Sequence, residues 1–297
     1  MKWLAMIGTA LGLVLAAPAA LAALAQDLPS VEYEGKRPVT LHYKDLTVTI
    51  DAVRGSDAND REPVFKGRFR GRDIFSIKIE EAGAREPIAK ARVVWLDRAA
   101  AFPQVVLTAF TFGAHCCTEI RIATMTAPNT WTVVDAGKLD GDEGYTFADL
   151  GHDGTQELIS FDNSFLYAFG SYGDSYAPTR VAKLVGTAIK DVTGDPKYRD
   201  FLRGKVREME ESARENPDLW NSNGFLGGWV AAKSLVGEVD DAWARMLKSY
   251  DRDSDWLSSQ CTSGGSSADC PKDKVDFPQA LLQHLIDGEY PTPKEAK

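Results

Sequence analysis

The hydrophobic pattern of the chain changes near its middle, and this change constrains the fold more than any other feature. From about residue 38 to 185, short runs rich in β-branched and aromatic residues, such as VVLTAF and EIRIATM, alternate with clusters of Gly, Pro, Asp and Asn. Closely spaced runs of this kind are typical of strands. The first half is therefore predicted to be β-rich, with propeller-like or sandwich-like sheets.

From about residue 195 the apolar residues recur with helical spacing. One stripe consists of Tyr198, Leu202, Val206, Met209 and Ala213. Pro217 is predicted to end that helix, because proline in a helix interior removes a backbone hydrogen bond and clashes with the preceding turn. Two further stripes separated by Gly237 predict a helical hairpin, and FPQALLQHLIDG predicts a last helix over about 277–287. The pattern predicts an α+β protein with a boundary near 190: a β-rich domain over 26–190 and an α-helical region over 191–297.

The N-terminal stretch MKWLAMIGTALGLVLAAPAALAALAQD is typical of a secretory signal peptide. Lys2 precedes an apolar run that ends in Ala23-Leu24-Ala25, an A-x-A cleavage pattern, so residues 1–25 are predicted to be removed. The alternative, a membrane anchor, is disfavoured by the Ala, Gly and Pro content of the run. We expect a soluble periplasmic or secreted protein that does not insert into the membrane after cleavage.

The net charge of −9, without a basic run, disfavours nucleic acid and anionic membranes as partners. In an exported chain, cysteines are candidates for disulfides. Cys261 and Cys270 flank a Gly/Ser-rich loop in QCTSGGSSADCPK, and the sequence predicts a local bridge between them.

The stretch TFGAHCCTEI places His115 beside the adjacent cysteines Cys116 and Cys117. Four interpretations stay open: a vicinal disulfide, two reduced buried thiols, bridges to the C-terminal cysteine pair, and a redox or soft-metal site. In the last case an adjacent imidazole would lower the pKa of a thiol. No C-x-x-C or paired zinc spacing is present.

Residues 97–108 and 149–160 follow the same pattern without a gap: an acidic residue, a polar turn and an apolar strand. An internal repeat of this length is typical of propeller blades or similar sheet units. The second copy, DLGHDGTQEL, resembles the calcium loop of FG-GAP (integrin alpha type) repeats, although Gly151 and His152 depart from that motif. The resemblance implies a structural Ca²⁺ whose ligands would be Asp149, Asp153 and Glu157.

The segment DNSFLYAFGSYGDSYAP contains many aromatic residues beside polar groups. A strand would place Phe165, Tyr167 and Phe169 on one face, where they would form either sheet core or a platform for a sugar or peptide. The candidate ligand-binding residues are Asp162, Asn163, Phe165, Tyr167, Phe169, Tyr172 and Tyr176.

Three motifs together, GAHCCT, the D-x-x-x-D-G turn and DN-x-FLYAF, resemble a group of uncharacterised exported bacterial proteins over about residues 90–210. The resemblance implies a shared exported fold and brings no activity with it.

No residue is assigned a catalytic role, because G-x-S-x-G, H-E-x-x-H and phosphate-binding glycine motifs are absent from the sequence. The favoured hypothesis is an exported binding or envelope-associated protein whose partner is an envelope protein, a glycan or a peptide. The alternative is a thiol-redox or metal-dependent enzyme centred on His115, Cys116 and Cys117. A hydrolase that uses the acidic loop is a third hypothesis. The sequence does not determine the oligomeric state.

Overall fold

The computed structural model describes residues 28–57, 59–113, 115–257 and 276–294. Within these ranges thirteen strands precede four α-helices, which confirms an α+β protein with a β-rich N-terminal part and a helical C-terminal part. The predicted signal peptide and the predicted Cys261–Cys270 bridge lie outside the described residues. No helix in the described ranges has the length and hydropathy needed to cross a membrane.

The thirteen strands of the described residues form three antiparallel sheets. Their orders are β2-β3-β4-β5, β1-β6-β7-β8-β9 and β10-β11-β12-β13, so nearly every strand pairs with its neighbour in the chain. This topology follows from the close spacing of the strands, because short turns join antiparallel neighbours. The strands are β1 (Ser30–Glu34), β2 (Val39–Tyr43), β3 (Leu46–Arg54), β4 (Arg61–Phe69), β5 (Arg72–Lys78), β6 (Ile88–Val94), β7 (Gln104–Phe110), β8 (Cys116–Ala127), β9 (Thr130–Asp140), β10 (Thr146–Ala148), β11 (Glu157–Phe161), β12 (Thr179–Val185) and β13 (Ala188–Asp191).

The five-stranded sheet is buried on both faces. On β7, Val105 and Leu107 belong to the core shared with the β2–β5 sheet. Val106, between them, packs in a second core with Leu158 and Leu184 of the β10–β13 sheet. Because successive side chains of a strand point to opposite faces, an uninterrupted apolar strand can serve two cores at once. The three sheets therefore pack in layers, with the five-stranded sheet in the middle.

In the described residues after β13, four α-helices lie where the periodicity predicts them. They are α1 (Arg199–Glu215), α2 (Asn223–Leu235), α3 (Val239–Ser249) and α4 (Phe277–Asp287). The predicted stripe of α1 is buried: Leu202 and Val206 pack with Val181 of β12 and join the helices to the third sheet. α2 and α3 form the predicted hairpin around Gly237, and α2 is buried along almost its whole length.

The N-terminal half of α2 lies directly against the backbone of the preceding loop. A Cβ atom at Gly224 would lie 2.2 Å from the carbonyl oxygen of Asp174, and one at Gly228 would lie 1.8 Å from that of Tyr176. Only glycine permits such an approach. The loop between β11 and β12, residues 162–178, is therefore held against the helix by backbone contact.

The prediction of a strand at FLYAF is wrong. Residues Asn163–Phe165 form a 3₁₀ turn, and the structure has no strand between β11 and β12. The reason is local: the side chain of Asp162 accepts a hydrogen bond of 3.0 Å from the amide of Ser164, which closes a turn at the point where a strand would continue. Phe165 and Phe169 are buried among the helices, whereas Tyr167 between them contacts His115, so these three rings do not share one face as the strand prediction required.

Candidate functional site

The end of β9 and the start of β8 bring distant parts of the sequence together. In the antiparallel ladder Cys116 is the register partner of Asp140. The backbone amide of Gly141 donates to the carbonyl oxygen of His115 at 2.8 Å and extends the pairing by one more contact. The register therefore places a carboxylate beside the His-Cys-Cys stretch. Asp140 is not among the residues that the sequence predicts for this site.

The sulfurs of Cys116 and Cys117 are in contact, as the vicinal disulfide among the four interpretations requires, and the pairing of these cysteines stays a prediction. Thr111, after the end of β7, fixes the second cysteine. Its hydroxyl accepts from the amide of Cys117 at 2.9 Å and donates to the carbonyl oxygen of the same residue at 3.0 Å. Both backbone groups of Cys117 thus bond to Thr111, which holds the two cysteines at the end of the sheet.

His115 is held by a carboxylate and by two tyrosines of the β11–β12 loop. Its Nδ1 lies 3.2 Å from Oδ1 of Asp140, and its Nε2 lies 2.7 Å from the hydroxyl of Tyr167. The ring stacks on that of Tyr172, with centroids 3.7 Å apart and an interplanar angle of 17°. Both ring nitrogens have partners, so the imidazole links the two strands to the loop.

Tyr172 also reaches the same carboxylate as His115. Its hydroxyl donates to Oδ2 of Asp140. This hydrogen bond, together with burial and the negative charge of Asp140, raises the pKa of Tyr172 to about 12. The phenol therefore stays protonated and acts as a hydrogen-bond donor throughout the physiological range.

Tyr167 presents its hydroxyl to His115 from an unusual backbone conformation. Its φ of +62° lies in the left-handed region, which bulky residues rarely adopt. Two contacts support the conformation: the amide donates to Oγ of Ser175 at 2.9 Å, and the carbonyl oxygen accepts from Nε1 of Trp256 at 2.9 Å. A strained residue held in this way is typical of functional sites.

The sulfurs lie close to a carboxylate. Ligand atoms of Cys116, Cys117 and Asp140 all lie within 4.8 Å of one another, and in the described part of the chain this is the only such group of three or more His, Cys, Asp or Glu side chains. His115 is not a member of the group.

A cavity of about 570 Å³ adjoins this cluster, between the third sheet, the β11–β12 loop and α1. Its polar groups include the carboxylate of Asp140, the hydroxyl of Tyr172 and the amide of Asn163. Most of the exposed lining is apolar. Apolar lining residues are Leu139, Ala148, Ile159, Leu166, Phe201 and Met209.

The structure divides the predicted ligand-binding residues into separate groups. Asn163, Tyr172 and Tyr176 line the cavity. Phe165 and Phe169 are instead buried in the core formed by the helices. The other two members lie outside the cavity lining: Asp162 accepts hydrogen bonds from the amide of Ser164 and the hydroxyl of Tyr290, and Tyr167 contacts His115.

The predicted calcium ligands lie elsewhere, at the turn before β11. The ammonium of Lys183 lies 3.3 Å from Asp153 and 3.0 Å from the buried carboxylate of Glu157. Glu157 also accepts a hydrogen bond of 2.9 Å from the hydroxyl of Tyr198. The oxygens of Asp149, Asp153 and Glu157, all within the described residues, are not gathered within 4.8 Å of one another. A lysine thus supplies positive charge to this loop, and calcium binding stays a prediction.

The two copies of the internal repeat touch each other. The guanidinium of Arg98, in the first copy, donates to the carbonyl oxygen of Gly154, in the second, at 2.7 and 2.9 Å. Asp97 accepts from the amide of Gly186 at 2.9 Å. In the first copy the acidic turn therefore serves to join the middle sheet to the third sheet.

The chain is similar to known proteins over most of its length. A family model described as the sll0997 C-terminal domain matches residues 199–289, which include all four helices. The uncharacterized protein y4bJ of Sinorhizobium fredii (strain NBRC 101917 / NGR234) is 36% identical over 275 residues, 91% of this chain and 43% of that protein. The probable thylakoid lumen protein sll0997 of Synechocystis sp. (strain ATCC 27184 / PCC 6803 / Kazusa) is 33% identical over 235 residues, 77% of this chain and 68% of that protein.

The chain spans less than half the length of y4bJ and about two thirds of the length of the Synechocystis protein. No solved structure matches it.

Proposed function

The chain belongs to the family of the probable thylakoid lumen protein sll0997, and from this premise we propose that it is an exported protein that binds a small, largely apolar molecule. The name of that relative places the relative in the thylakoid lumen, which is an extracytoplasmic compartment. The predicted signal peptide and the predicted disulfide between Cys116 and Cys117 support export, because disulfides persist in oxidising compartments.

The cavity beside Asp140 carries this proposal. Its volume of about 570 Å³ lies within the range of about 300–1,000 Å³ that is usual for small-molecule sites. It also has the usual composition of such a site, a mostly apolar wall with a few polar groups that orient a ligand. One of those groups, Asp140, is held in place by hydrogen bonds to both of its oxygens, from His115 and Tyr172.

A thiol-redox enzyme at the His-Cys-Cys stretch is the weaker proposal. A reactive cysteine needs an electropositive setting that favours its thiolate. Here Asp140 lies within 4.8 Å of both sulfurs, and both nitrogens of His115 already have partners. These contacts favour a rigid binding site over a reactive one.

Fluorescence titration of the purified exported chain with N-phenyl-1-naphthylamine, a neutral apolar dye, tests the proposal. We expect saturable binding of one dye per chain. Ala148→Trp places an indole in the cavity wall and should abolish dye binding. The matched control, Ala188→Trp, places the same ring on an exposed position of the same sheet and should leave dye binding intact. Equal binding by the two variants would locate the dye elsewhere and overturn the proposed site.

A further inference from the structure

The wall of the cavity combines aromatic rings with a single acidic side chain. Four rings line it, those of Phe161, Tyr172, Tyr176 and Phe201. Asp140 is the only Asp or Glu in the lining, and its side chain is 16% exposed. Aromatic faces and a carboxylate attract cations, and the attraction increases when the site excludes water.

The carboxylate of Asp140 has no strong countercharge. Its ion-pair partner within the described residues is His115, at 3.2 Å, and no Lys or Arg nitrogen of that part of the chain lies within 4.0 Å. A mostly buried carboxylate without a permanent cation gains from a positively charged partner. The lining therefore holds a carboxylate whose ion-pair partner is an imidazole.

Lys205 is the only basic residue in the lining, and its charge is already balanced. Its ammonium donates to both carboxylate oxygens of Glu208, one turn further along α1, at 3.0 and 2.8 Å. The ion pair is partly exposed, so solvent also screens it. The same ammonium lies 5.8 Å from the ring centroid of Phe201, so that ring already has a cation. Asp140 and the other three rings are then the groups of the lining that are open to a cationic ligand.

We propose that the ligand is a hydrophobic organic cation, an alkyl or aryl ammonium; this inference rests on the proposed binding function. Its charged nitrogen lies against the carboxylate of Asp140 and the ring of Tyr172, and its hydrocarbon part fills the apolar wall. The stacked pair His115 and Tyr172 holds the carboxylate in position for this contact. An anionic ligand of the same size is rejected, because its charge would approach Asp140 in a partly desolvated site.

The test is displacement of N-phenyl-1-naphthylamine by three ligands with the same naphthyl ring. These are 1-naphthylmethylamine, which is a cation at pH 7, the neutral 1-naphthylmethanol, and the anion 1-naphthoate. The expected order of affinity is cation, neutral, anion, with the cation about tenfold tighter than the alcohol. Asp140→Asn should reduce this preference to about twofold or less. Asp142→Asn, which removes an exposed carboxylate two positions away, should retain the preference.

Two results separate failure of the inference from failure of the proposed function. Dye binding together with equal affinity for the ammonium and the alcohol overturns the cation and leaves the binding function standing. Absence of dye binding overturns the binding function, and the inference with it. The order of the three ligands on the wild-type chain decides the question even if Asp140→Asn does not fold. Retention of the full preference by a folded Asp140→Asn variant would also overturn the role of Asp140.

Discussion

The ammonium of Lys183 lies 3.0 Å from the carboxylate of Glu157, which is completely buried. The pair joins β12 to β11, and Tyr198 at the start of the helical part donates a hydrogen bond to the same carboxylate. One buried charge thus connects the third sheet to the helices. A buried ion pair of this kind adds little to the free energy of unfolding compared with an apolar pair. Loss of one partner nevertheless lowers stability strongly, because the other charge stays buried without a countercharge.

We expect Lys183→Met to lower the free energy of unfolding by about 3–5 kcal/mol, since Glu157 would lose its cation. Lys190→Met is the matched control on the neighbouring strand, where the lysine is exposed, and should change stability by less than about 0.5 kcal/mol. Urea titrations of the three proteins at pH 7 measure the difference. Equal stability of the two variants would contradict the role assigned to this ion pair.

His284 should make the protein less stable as the pH falls below 7. Its ring is packed edge-on against Phe165, with centroids 4.4 Å apart, and burial lowers its pKa below the ordinary value of 6.5. The unfolded chain therefore takes up a proton at a higher pH than the folded chain does. The free energy of unfolding must fall with pH from just above 6.5 down to the lowered pKa of the folded state.

Replacement of this histidine removes its contribution to the pH dependence. In His284→Gln the loss of stability between pH 7 and pH 5 should be smaller than in the wild type, whatever the change in stability at pH 7. His42→Gln, at an exposed position on β2, should keep the wild-type slope. Urea midpoints at pH 7, 6 and 5 give the slopes. An unchanged slope in His284→Gln would show that other groups cause the pH dependence.

Phe161 should contribute to ligand binding and little to stability. The side chain is 63% exposed although it lines the cavity, so the folded protein gains little from it. We expect Phe161→Ser to weaken binding of N-phenyl-1-naphthylamine by roughly fivefold, as the loss of one aromatic contact would. Stability should change by less than about 0.5 kcal/mol. Val185→Ser removes an exposed apolar side chain outside the cavity and should leave dye affinity unchanged.

The cysteines of the site should be inert in the native protein. The contact between the sulfurs of Cys116 and Cys117 predicts a vicinal disulfide, and in that state neither cysteine should react with iodoacetamide until a reductant is added. Peptide mapping by mass spectrometry before and after reduction measures this directly. Because the proposed function uses no thiol chemistry, Cys116→Ser/Cys117→Ser should still bind the dye if it folds. Rapid alkylation of either cysteine in the folded, unreduced protein would revive the redox hypothesis.

Periodicity was sufficient to predict the helices and the β-rich character of the first half. Each predicted helix has an apolar stripe and a Gly or Pro close to one of its two ends, so the local sequence signals agree with the buried face of the helix. The prediction of a strand at FLYAF was wrong because period-2 alternation is not unique to strands. The side chain of Asp162 accepts a hydrogen bond from the amide of Ser164, and the chain forms a turn there. A side-chain hydrogen bond of this kind competes with the backbone hydrogen bonds of a sheet, and a local pattern of apolar residues does not reveal it.

The site itself was only partly predictable. The His-Cys-Cys stretch is conspicuous in the sequence, but Asp140 lies in a run of several acidic residues and carries no distinguishing signal there. Its selection depends on strand register, because Cys116 faces Asp140 only in the pairing that β8 and β9 adopt. Register is determined by the whole sheet and by the bulges within it, which a reading of local spacing does not include.

The backbone contact between α2 and the β11–β12 loop has a consequence for the kinetics of ligand binding. Because Gly224 and Gly228 allow the loop to rest on a buried helix, Tyr172 and Tyr176 occupy their places before a ligand arrives. Little conformational entropy is then lost on association. We expect related ligands to enter the cavity at similar rates, with the differences in affinity residing in how long each one stays.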